Sequence, residues 1–426
     1  MKSLSFIGAG YVGLCNAVGF ASLGFDVKVV DVDAEKVRMI NSGVPPIYEK
    51  GLKELLSKVL EGGSFEATAD LKYAVDGSEV SFICVQTPSR KDGSIELKYV
   101  KEAAKDLGRC IRGKGWHLVV VKSTVVPSAT EDVVIPVLER FSGKHVGVGF
   151  GVCMCPEFLS EGDAFRGFFS PDRIVIGEYD KRSGDVLEGV FSVFDSGIPR
   201  LRVDLRTAEM IKYASNAFIG VKISFANEIG NICKNLGIDG RTVMEGVALD
   251  HRFSKFFMKP GMSFGGPCLE KDISALAAEA RKRGLDPRIL SGIIGVNRRQ
   301  TEILLDIVRR KIRDGNLRRV GILGLSYKAD VSDVRRSQAI EIISALKGVD
   351  VEVFAYDPEA EEGMSRLCPG INYKDTGQEV VDDSDVVLVL TDWEEFGDLD
   401  FRGKIVVDGR GIIPKEKCEE YEGICW

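Results

Sequence analysis

A cysteine, a lysine and an aspartate stand close together in one short segment of the chain. Residues 263–272 combine two glycines with Cys268, Lys271 and Asp272. Glycines let the backbone approach a ligand, and a thiol beside a helix start and a lysine can become a nucleophilic thiolate. Asp272 can take or orient a proton. The segment predicts covalent catalysis on Cys268, although a merely buried cysteine explains the same residues.

A second polar pair is predicted on a long helix. Residues 206–236 carry apolar side chains at helical spacing without a proline, and Lys212 and Asn216 lie on one face of this pattern, one turn apart. An amine and an amide in this arrangement can bind one developing oxyanion. A lysine that extends to solvent and an exposed asparagine are the alternative on these residues alone.

A glycine-rich turn stands near the start of the chain. Residues 8–13 follow a strand-like run and open a helix, and Asp31 ends the next predicted strand. Such glycines let a pyrophosphate approach the backbone, while the aspartate accepts from a ribose diol and repels a 2′-phosphate. The pattern predicts NAD, with a turn made only for packing as the alternative. The expected cofactor-binding residues are Gly8, Gly10, Tyr11, Val12, Gly13, Asp31 and, unless it is a solvated helix residue, Lys36.

Two threonines follow buried strands of the same predicted sheet. Thr87 comes after the run 80–85, and Thr124 comes after the run 118–121. The carboxyl ends of parallel strands meet at the edge where ligands bind, so both threonines are candidates for cofactor binding. Capping of a turn or a helix explains each of them equally well.

The secondary-structure elements expected to hold these residues follow the same alternating pattern in two parts of the chain. Strand-like runs alternate with helical patterns in the first part of the chain (4–7, 27–30, 80–85, 118–121) and again near its end (320–323, 351–354, 386–390, 405–407). This predicts an α/β fold with two Rossmann-like doubly wound domains joined by a long central helix. The expected domains are residues 1–200, which bind NAD, a central helical region 201–300 with the cysteine loop, and residues 315–426, which bind a second nucleotide-bearing ligand.

The central helix also predicts self-association. A helix of about thirty residues is ~45 Å long, which exceeds one small domain and suits a connector or a dimer core. Asp204 or Thr207 is expected to cap its start, and Gly237 its end. We therefore expect a homodimer or a higher homo-oligomer that associates through this helix.

The composition of the chain argues against several classes of partner and site. The net charge of −7 argues against nucleic acid as a partner, and no apolar run approaches the ~20 residues that cross a bilayer. Ten scattered cysteines without secretory context predict reduced thiols, a cytoplasmic location and no metal site. The histidines form no recognisable triad or metal set.

Together these residues resemble the UDP-glucose 6-dehydrogenase family, within the group that includes GDP-mannose and UDP-N-acetylmannosamine dehydrogenases. The resemblance spans nearly the whole chain. It rests on residues 8–13, 156–162, 171–173, Lys212 with Asn216, the segment 265–272, Lys328 with Arg335, and 408–410. Pro267, Glu270 and Gln86 depart from the family pattern and bear on local loop geometry.

The resemblance implies a two-step, NAD-dependent oxidation of UDP-glucose to UDP-glucuronate. Lys212, Asn216 and Asp272 would serve the first oxidation with a water. Cys268 would then capture the bound aldehyde, and the second oxidation would leave a thioester whose hydrolysis Glu157 assists. A thiohemiacetal can donate a hydride, whereas a free aldehyde cannot.

The remaining site residues are carried over from the same resemblance. Thr124, Glu161 and Arg335 are implied near the cofactor, and Arg252 is implied to reach the sugar nucleotide of a neighbouring subunit. The implied substrate-binding set is Glu157, Phe158, Leu159, Glu161, Lys212, Asn216, Arg252, Phe264, Gly265, Lys328 and Arg410.

Three alternatives remain at this point. The same chemistry can act on a UDP-N-acetylhexosamine or on GDP-mannose, although residues 157–162 resemble the UDP-glucose enzymes more closely. A single-step hydroxy-acid dehydrogenase shares the glycine turn, the long helix and the lysine–asparagine pair but needs no cysteine. A catalytically silent NAD-binding regulator is the third alternative.

Overall fold

The computed structural model describes residues 3–426. The chain folds into two compact units, residues 1–215 (unit 1) and 216–426 (unit 2). No helix within the described range is both long and apolar enough to span a bilayer.

Unit 1 contains an eight-stranded sheet in the order β3-β2-β1-β4-β5-β6-β7-β8, in which the β6–β7 pair is antiparallel and the others are parallel. The pairing of β1 with both β2 and β4 is the strand reversal at which doubly wound sheets bind ligands. The strands are β1 (Ser3–Ile7), β2 (Asp26–Val30), β3 (Phe65–Thr68), β4 (Val80–Ile83), β5 (Leu118–Val121), β6 (Gly151–Met154), β7 (Ile174–Glu178) and β8 (Arg200–Asp204).

Helices connect these strands. Every residue of β4 and β5 is buried, as expected for central parallel strands that are covered on both faces. The helices are α1 (Tyr11–Ser22), α2 (Ala34–Asn41), α3 (Leu52–Glu61), α4 (Leu71–Asp76), α5 (Lys98–Ile111), a π-helix (Thr130–Val134), α6 (Ile135–Ser142), α7 (Ala164–Phe169) and α8 (Lys181–Phe191).

The core of unit 1 is rich in phenylalanine. The rings of Phe6 and Phe82 stack with centroids 4.6 Å apart, and Phe20 meets Phe168 edge to face at 5.1 Å. Such pairs add to the free energy gained from burying the rings. Phe20 also stacks on Phe6 at 6.1 Å and on Phe82 at 6.3 Å, and these contacts pack α1, the helix that follows the glycine turn, against β1 and β4.

A single helix, α9 (Leu205–Asn235), begins in unit 1 and ends in unit 2. Asp204 caps its start, because its carboxylate accepts from the backbone N–H of Thr207 at 2.8 Å. Gly237 follows its end with φ of +73°, a left-handed conformation that favours glycine. The helix begins and ends one residue earlier than predicted, and both predicted caps are confirmed.

Unit 2 continues with α10 and two further helices before a second sheet begins. The helices are α10 (Gly240–Ala248), α11 (Leu269–Lys282), α12 (Arg288–Gly315), α13 (Gln338–Leu346), α14 (Glu361–Leu367), α15 (Gly377–Asp383) and two 3₁₀ helices (Glu394–Asp398 and Lys415–Lys417). The sheet is parallel, in the order β11-β10-β9-β12-β13-β14. Its strands are β9 (Arg319–Leu323), β10 (Glu352–Tyr356), β11 (Asn372–Tyr373), β12 (Val386–Val389), β13 (Ile405–Asp408) and β14 (Glu420–Gly423).

The predicted fold class is confirmed: two parallel-dominated sheets and a long central helix are present. All eight predicted strands exist, with small shifts at their ends. β4 ends at Ile83 because Cys84 and Val85 turn into the loop that carries Thr87, and β10 begins at Glu352 and continues to Tyr356.

Candidate active site

The glycine turn is shaped by close backbone packing. Gly8 has φ of +105°, and a side chain on Gly13 would overlap the carbonyl oxygen of Gly8. A side chain on Gly10, in contrast, would meet nothing within 4 Å. Two glycines are therefore required by the turn itself, while Gly10 leaves open space at the N-terminus of α1, which is where a pyrophosphate binds in such turns.

Asp31 joins the turn to the end of β2. Its carboxylate accepts from the backbone N–H of Ala9 at 2.9 Å and from that of Asp33 at 3.0 Å. Val32 beside it is 99% exposed, an apolar surface that a planar base can cover. Lys36 lies half-buried in the first turn of α2. These residues fit an adenosine and its ribose, which agrees with the NAD prediction.

Tyr11 makes a contact that the sequence did not indicate. Its hydroxyl donates to the carboxylate of Glu49, which is 5% exposed and also accepts from the backbone N–H groups of Gly162 and Ala164 at 2.7 and 2.8 Å. Burial and the hydrogen bond to Glu49 raise the pKa of Tyr11. Glu49 thus joins the glycine turn to the loop that contains Glu161.

The loop after β5 is held by a second buried carboxylate. Glu209 on α9 accepts from the backbone N–H groups of Ser128 at 2.7 Å and Thr130 at 2.8 Å. Ser128 has φ of +78°, an unusual value for a residue other than glycine. Burial raises the pKa of Glu209 to about 7. Thr124 lies half-buried in this loop, and Thr87 is buried in the loop after β4.

A cation–carboxylate pair forms the centre of the polar cluster in unit 1. Nζ of Lys212 lies 3.7 Å from Oε1 of Glu157, and both side chains are about nine-tenths buried. Oε2 of Glu157 is buried and has no hydrogen-bond partner among the described residues. One carboxylate oxygen therefore faces the lysine, and the other has unused accepting capacity.

Arg173 contacts the loop at residues 157–161, which is predicted to bind the substrate. The guanidinium of Arg173 lies 3.9 Å from the ring centroid of Phe158 and donates to Oγ of Ser215 at 3.1 Å. Nζ of Lys212 lies 5.4 Å from the same ring. The arginine of the 171–173 motif therefore stacks on the loop and fastens it to α9. A pocket beside the loop is lined by Asn16, Lys122, Cys155, Glu157, Phe158, Leu159 and Arg173.

Cys268 is exposed, whereas the other nine cysteines, all within the described residues, are buried or partly buried. It immediately precedes α11, and its carbonyl accepts from the N–H of Asp272 at 2.9 Å. A thiolate at this position is stabilised by the N-terminal end of the helix dipole. The thiol is accessible to a bound reactant.

Asp272 is 1% exposed, and both of its carboxylate oxygens have donors. Nδ2 of Asn216 donates to Oδ2 at 2.6 Å, and Nζ of Lys271 donates to Oδ1 at 2.6 Å. A carboxylate that accepts from a cation and an amide fixes the orientation of both partners. The structure brings Asn216, Lys271 and Asp272 together beside the start of α11.

The two glycines before Cys268 are required by close contacts within unit 2. A side chain on Gly265 would lie 2.5 Å from the carbonyl oxygen of Arg336, and one on Gly266, which has φ of +82°, would lie 2.7 Å from the ring of Tyr327. Glu270, one of the departures from the family pattern, pairs with Arg336 at 3.1 Å. The cysteine loop is thus fastened to the segment that follows β9.

Arg410 approaches the same segment from β13. Its Nε donates to the carbonyl of Leu390 at 2.6 Å, and its Nη2 lies 3.5 Å from the carbonyl oxygen of Tyr327. Burial lowers the pKa of Arg410. Arg410, Lys328 and Gly266 therefore lie around Tyr327. Phe264 is fixed by a reciprocal pair of hydrogen bonds with Asn297 at 2.8 and 3.0 Å.

The aspartate that follows β10 in the second sheet is more deeply buried than Asp31. Asp357, the counterpart of Asp31, is 2% exposed and accepts from the N–H groups of Leu325 and Ser326 at 2.7 and 2.9 Å and from Nε1 of Trp393 at 3.1 Å. Gly324 packs against Thr391. This agrees with a ligand other than a second NAD.

Two predicted arginines are held by local carboxylates. Arg335 pairs with Asp333 through contacts of 2.8 and 3.0 Å, and Arg252 pairs with Asp250 on an exposed loop. The exposed Phe256 and Phe257 follow on that loop. The roles proposed for both arginines stay predictions.

Comparison with known proteins identifies the relatives of this chain. Three family models match consecutive parts of it. They are the NAD-binding domain of the UDP-glucose/GDP-mannose dehydrogenase family over residues 2–195, the central domain over 206–299 and the UDP-binding domain over 321–415. Together they span most of the chain.

Full-length relatives agree with these matches. The chain is 43% identical to a UDP-glucose 6-dehydrogenase of Haloferax volcanii, covering 99% of both proteins, and 39% identical to a GDP-mannose 6-dehydrogenase of Pseudomonas aeruginosa, covering 99% of this chain and all of the relative. A solved UDP-glucose dehydrogenase from Pyrobaculum islandicum superposes with a TM-score of 0.95 at 41% identity, covering 100% and 98% of the two chains.

Proposed function

The chain belongs to the UDP-glucose/GDP-mannose dehydrogenase family of NAD-dependent oxidoreductases, and we propose that it oxidises UDP-glucose to UDP-glucuronate through a thioester on Cys268. The observation that carries the covalent step is the exposure of this one thiol, beside a buried cluster of Asn216, Lys271 and Asp272. NAD, when bound, accepts the hydride in each of the two oxidations.

The cofactor is assigned to unit 1. Gly8, Gly10 and Gly13 admit the pyrophosphate, and Asp31 receives the ribose hydroxyls. The further contacts that we propose in unit 1 are Tyr11, Val12, Lys36 and Thr87 near the adenosine and phosphates, and Thr124 and Glu161 toward the nicotinamide. The cofactor contact proposed for Arg335 rests on the family resemblance alone. Support comes from the open space above Gly10 and from the half-buried position of Thr124.

In the first oxidation the C6 hydroxyl of the sugar loses a proton and C6 loses a hydride. We assign the stabilisation of the developing oxyanion to Lys212 and Asn216, and the relay of the proton through a water to Asp272. The product is an aldehyde, oxidised by two electrons. The support for Asp272 is its buried position and the donor on each of its carboxylate oxygens, which fix the orientation of the carboxylate.

In the second oxidation the thiolate of Cys268 adds to the aldehyde carbon, and the resulting oxyanion takes up a proton. The thiohemiacetal then loses its C6 hydride and its hydroxyl proton, which leaves a thioester. Water attacks the carbonyl, the C–S bond breaks and the thiolate is regenerated. Glu157 assists this hydrolysis, and the unpartnered Oε2 of its buried carboxylate supports that role. The sum is one water consumed, two hydrides transferred and one carboxylate formed.

We propose substrate-binding residues within each unit from the family resemblance. They are Glu157, Phe158, Leu159 and Glu161 in unit 1, and Phe264 and Gly265 in unit 2. Lys328 and Arg410 bind the diphosphate, since their cationic groups converge near Tyr327. Arg252 is proposed to reach a nucleotide bound by a neighbouring subunit.

UDP-glucose is preferred over the other nucleotide sugars on two grounds. The Haloferax and Pyrobaculum relatives that carry this activity in their names are 43% and 41% identical, and the residues 157–162 resemble that branch. GDP-mannose is the second candidate, because relatives named for it reach 39% identity over the full chain.

A substrate screen tests this choice. The purified chain is incubated with NAD and UDP-glucose, GDP-mannose or a UDP-N-acetylhexosamine, and both NADH and the acid product are quantified. We expect two NADH for each UDP-glucose consumed, and a kcat/KM that is highest for UDP-glucose. Turnover of GDP-mannose alone would overturn the substrate assignment, and one NADH per sugar would overturn the two-step chemistry.

We also propose that the chain self-associates through α9. Phe218, Phe225, Ile232 and Leu236 are each at least half exposed and recur at intervals of seven, seven and four residues. This spacing places Phe218, Phe225 and Ile232 along one face of α9, as in helices that pack against a partner helix, and Leu236 directly follows the last residue of the helix. A second copy of the same face is the proposed partner.

A further inference from the structure

We propose that Glu49 is a positioning residue that holds the glycine turn and the Glu161 loop in the arrangement that binds NAD. This inference rests on the proposed cofactor contacts of Tyr11 and Glu161. Glu49 lies in the loop before α3, far in sequence from both partners, and it is one of the few glutamates within the described residues that are fully buried.

The carboxylate of Glu49 accepts three hydrogen bonds from two separate segments. Oε2 accepts from the hydroxyl of Tyr11 and from the N–H of Gly162 at 2.7 Å, and Oε1 accepts from the N–H of Ala164 at 2.8 Å. The hydroxyl of Tyr11 also lies 3.2 Å from the carbonyl oxygen of Ser160. Each oxygen of the carboxylate thus has a donor, and the donors come from both segments.

The loop at residues 162–164 depends on Glu49 for two of its backbone hydrogen bonds. Gly162 has φ of +82°, and Asp163, which precedes α7, makes no side-chain cap. The N–H groups of Gly162 and Ala164 would lack acceptors without Glu49, and buried unpaired N–H groups are costly. Glu161 precedes Gly162, so the bond to Gly162 also fixes the peptide that carries it.

Only a carboxylate satisfies all three donors. In glutamine one oxygen becomes an NH₂ group, which donates and cannot accept from a backbone N–H. Glu49→Gln therefore leaves either Ala164 or the pair of Gly162 and Tyr11 without an acceptor. Tyr11→Phe removes the bond to the glycine turn and leaves the two backbone bonds of Glu49 in place.

The test measures NAD affinity by calorimetric titration of the full chain, so it does not depend on which sugar is oxidised. We expect Glu49→Gln and Tyr11→Phe each to weaken NAD binding about tenfold, since each loses a charge-assisted bond. The double variant should bind no more weakly than Glu49→Gln, because both changes remove the same tie. Glu54→Gln, an exposed neighbour on α3, serves as the control.

The outcomes separate positioning from a purely structural role. A folded Glu49→Gln chain with lowered thermal stability and unchanged NAD affinity overturns the proposal. If Glu49→Gln does not fold, Tyr11→Phe decides: weakened binding at an unchanged unfolding midpoint supports the proposal, and unchanged binding overturns it. A chain that binds NAD as expected but fails to oxidise UDP-glucose contradicts only the proposed function.

Discussion

Asp272 and Glu157 are both buried carboxylates, yet their oxygens are used differently. Oδ2 of Asp272 accepts from Asn216 and Oδ1 accepts from Lys271, whereas Oε2 of Glu157 has no hydrogen-bond partner among the residues described. A saturated carboxylate fixes donors around a reacting oxygen, and one with unused accepting capacity can orient a water. The two residues therefore suit the two different proton transfers that the proposal assigns to them.

Replacement of Asp272 by asparagine tests the first of these roles. Asp272→Asn removes the charge beside Lys271 and the proton acceptor, so we expect kcat to fall roughly 100-fold or more, as for loss of a general base. Steady-state NADH formation measures this. Asp286→Asn, an exposed change in the turn after α11, should leave kcat unchanged. A kcat of Asp272→Asn within twofold of the wild-type value would contradict the role.

At the scale of elements, Glu209 connects α9 to the loop after β5. It holds Ser128 and Thr130 from the turn of α9 that precedes Lys212. The π-helix at residues 130–134 follows directly, and such interruptions often occur at functional sites. The loop that carries Thr124 therefore depends on a carboxylate that is costly to bury.

The cost of burying Glu209 predicts a pH dependence of stability. Burial raises its pKa from 4.5 to about 7, so the folded state favours the protonated form. Stability from this group is fully present below about pH 4.5 and is lost as the pH rises through about 7. From about pH 5 to about pH 8, the wild type should lose on the order of 3 kcal/mol relative to Glu209→Gln.

Urea denaturation at both pH values measures this difference. The exposed change Glu102→Gln on α5 provides the comparison, because it should shift stability equally at either pH. If the difference in the free energy of unfolding between the wild type and Glu209→Gln is the same at both pH values, burial of the charge does not have the proposed effect.

Within the described residues, periodicity and turn residues were sufficient to predict eight of the fourteen strands and the long helix α9, but not the contacts between distant segments. The strands around β1 and β9 and the caps of α9 follow from patterns within a few residues, which is where hydrophobic period and capping act. Glu49 and Glu209 were missed because their partners lie 113 and 79 residues away. Arg173 was recognised only as part of the family motif at residues 171–173. Its stacking on Phe158 is seen only in the structure.

At the scale of the whole molecule, the exposed apolar face of α9 predicts an assembly. Phe225→Asp places a charge at the centre of the face, so we expect the assembly to dissociate to monomers at low micromolar concentration. Size-exclusion chromatography with light scattering measures the mass. Leu285→Asp, which changes an exposed apolar residue after α11, should leave the mass unchanged. A monomeric wild-type chain would contradict the predicted assembly.

In the proposed mechanism a single thiol, that of Cys268, converts the bound aldehyde into a second hydride donor. The most direct test compares wild type and Cys268→Ser for NADH and acid formed from UDP-glucose, with Cys418→Ser, a partly buried thiol, as control. We expect two NADH and one UDP-glucuronate per sugar for wild type and Cys418→Ser, and no acid from Cys268→Ser. Formation of UDP-glucuronate by Cys268→Ser at the wild-type rate would contradict it.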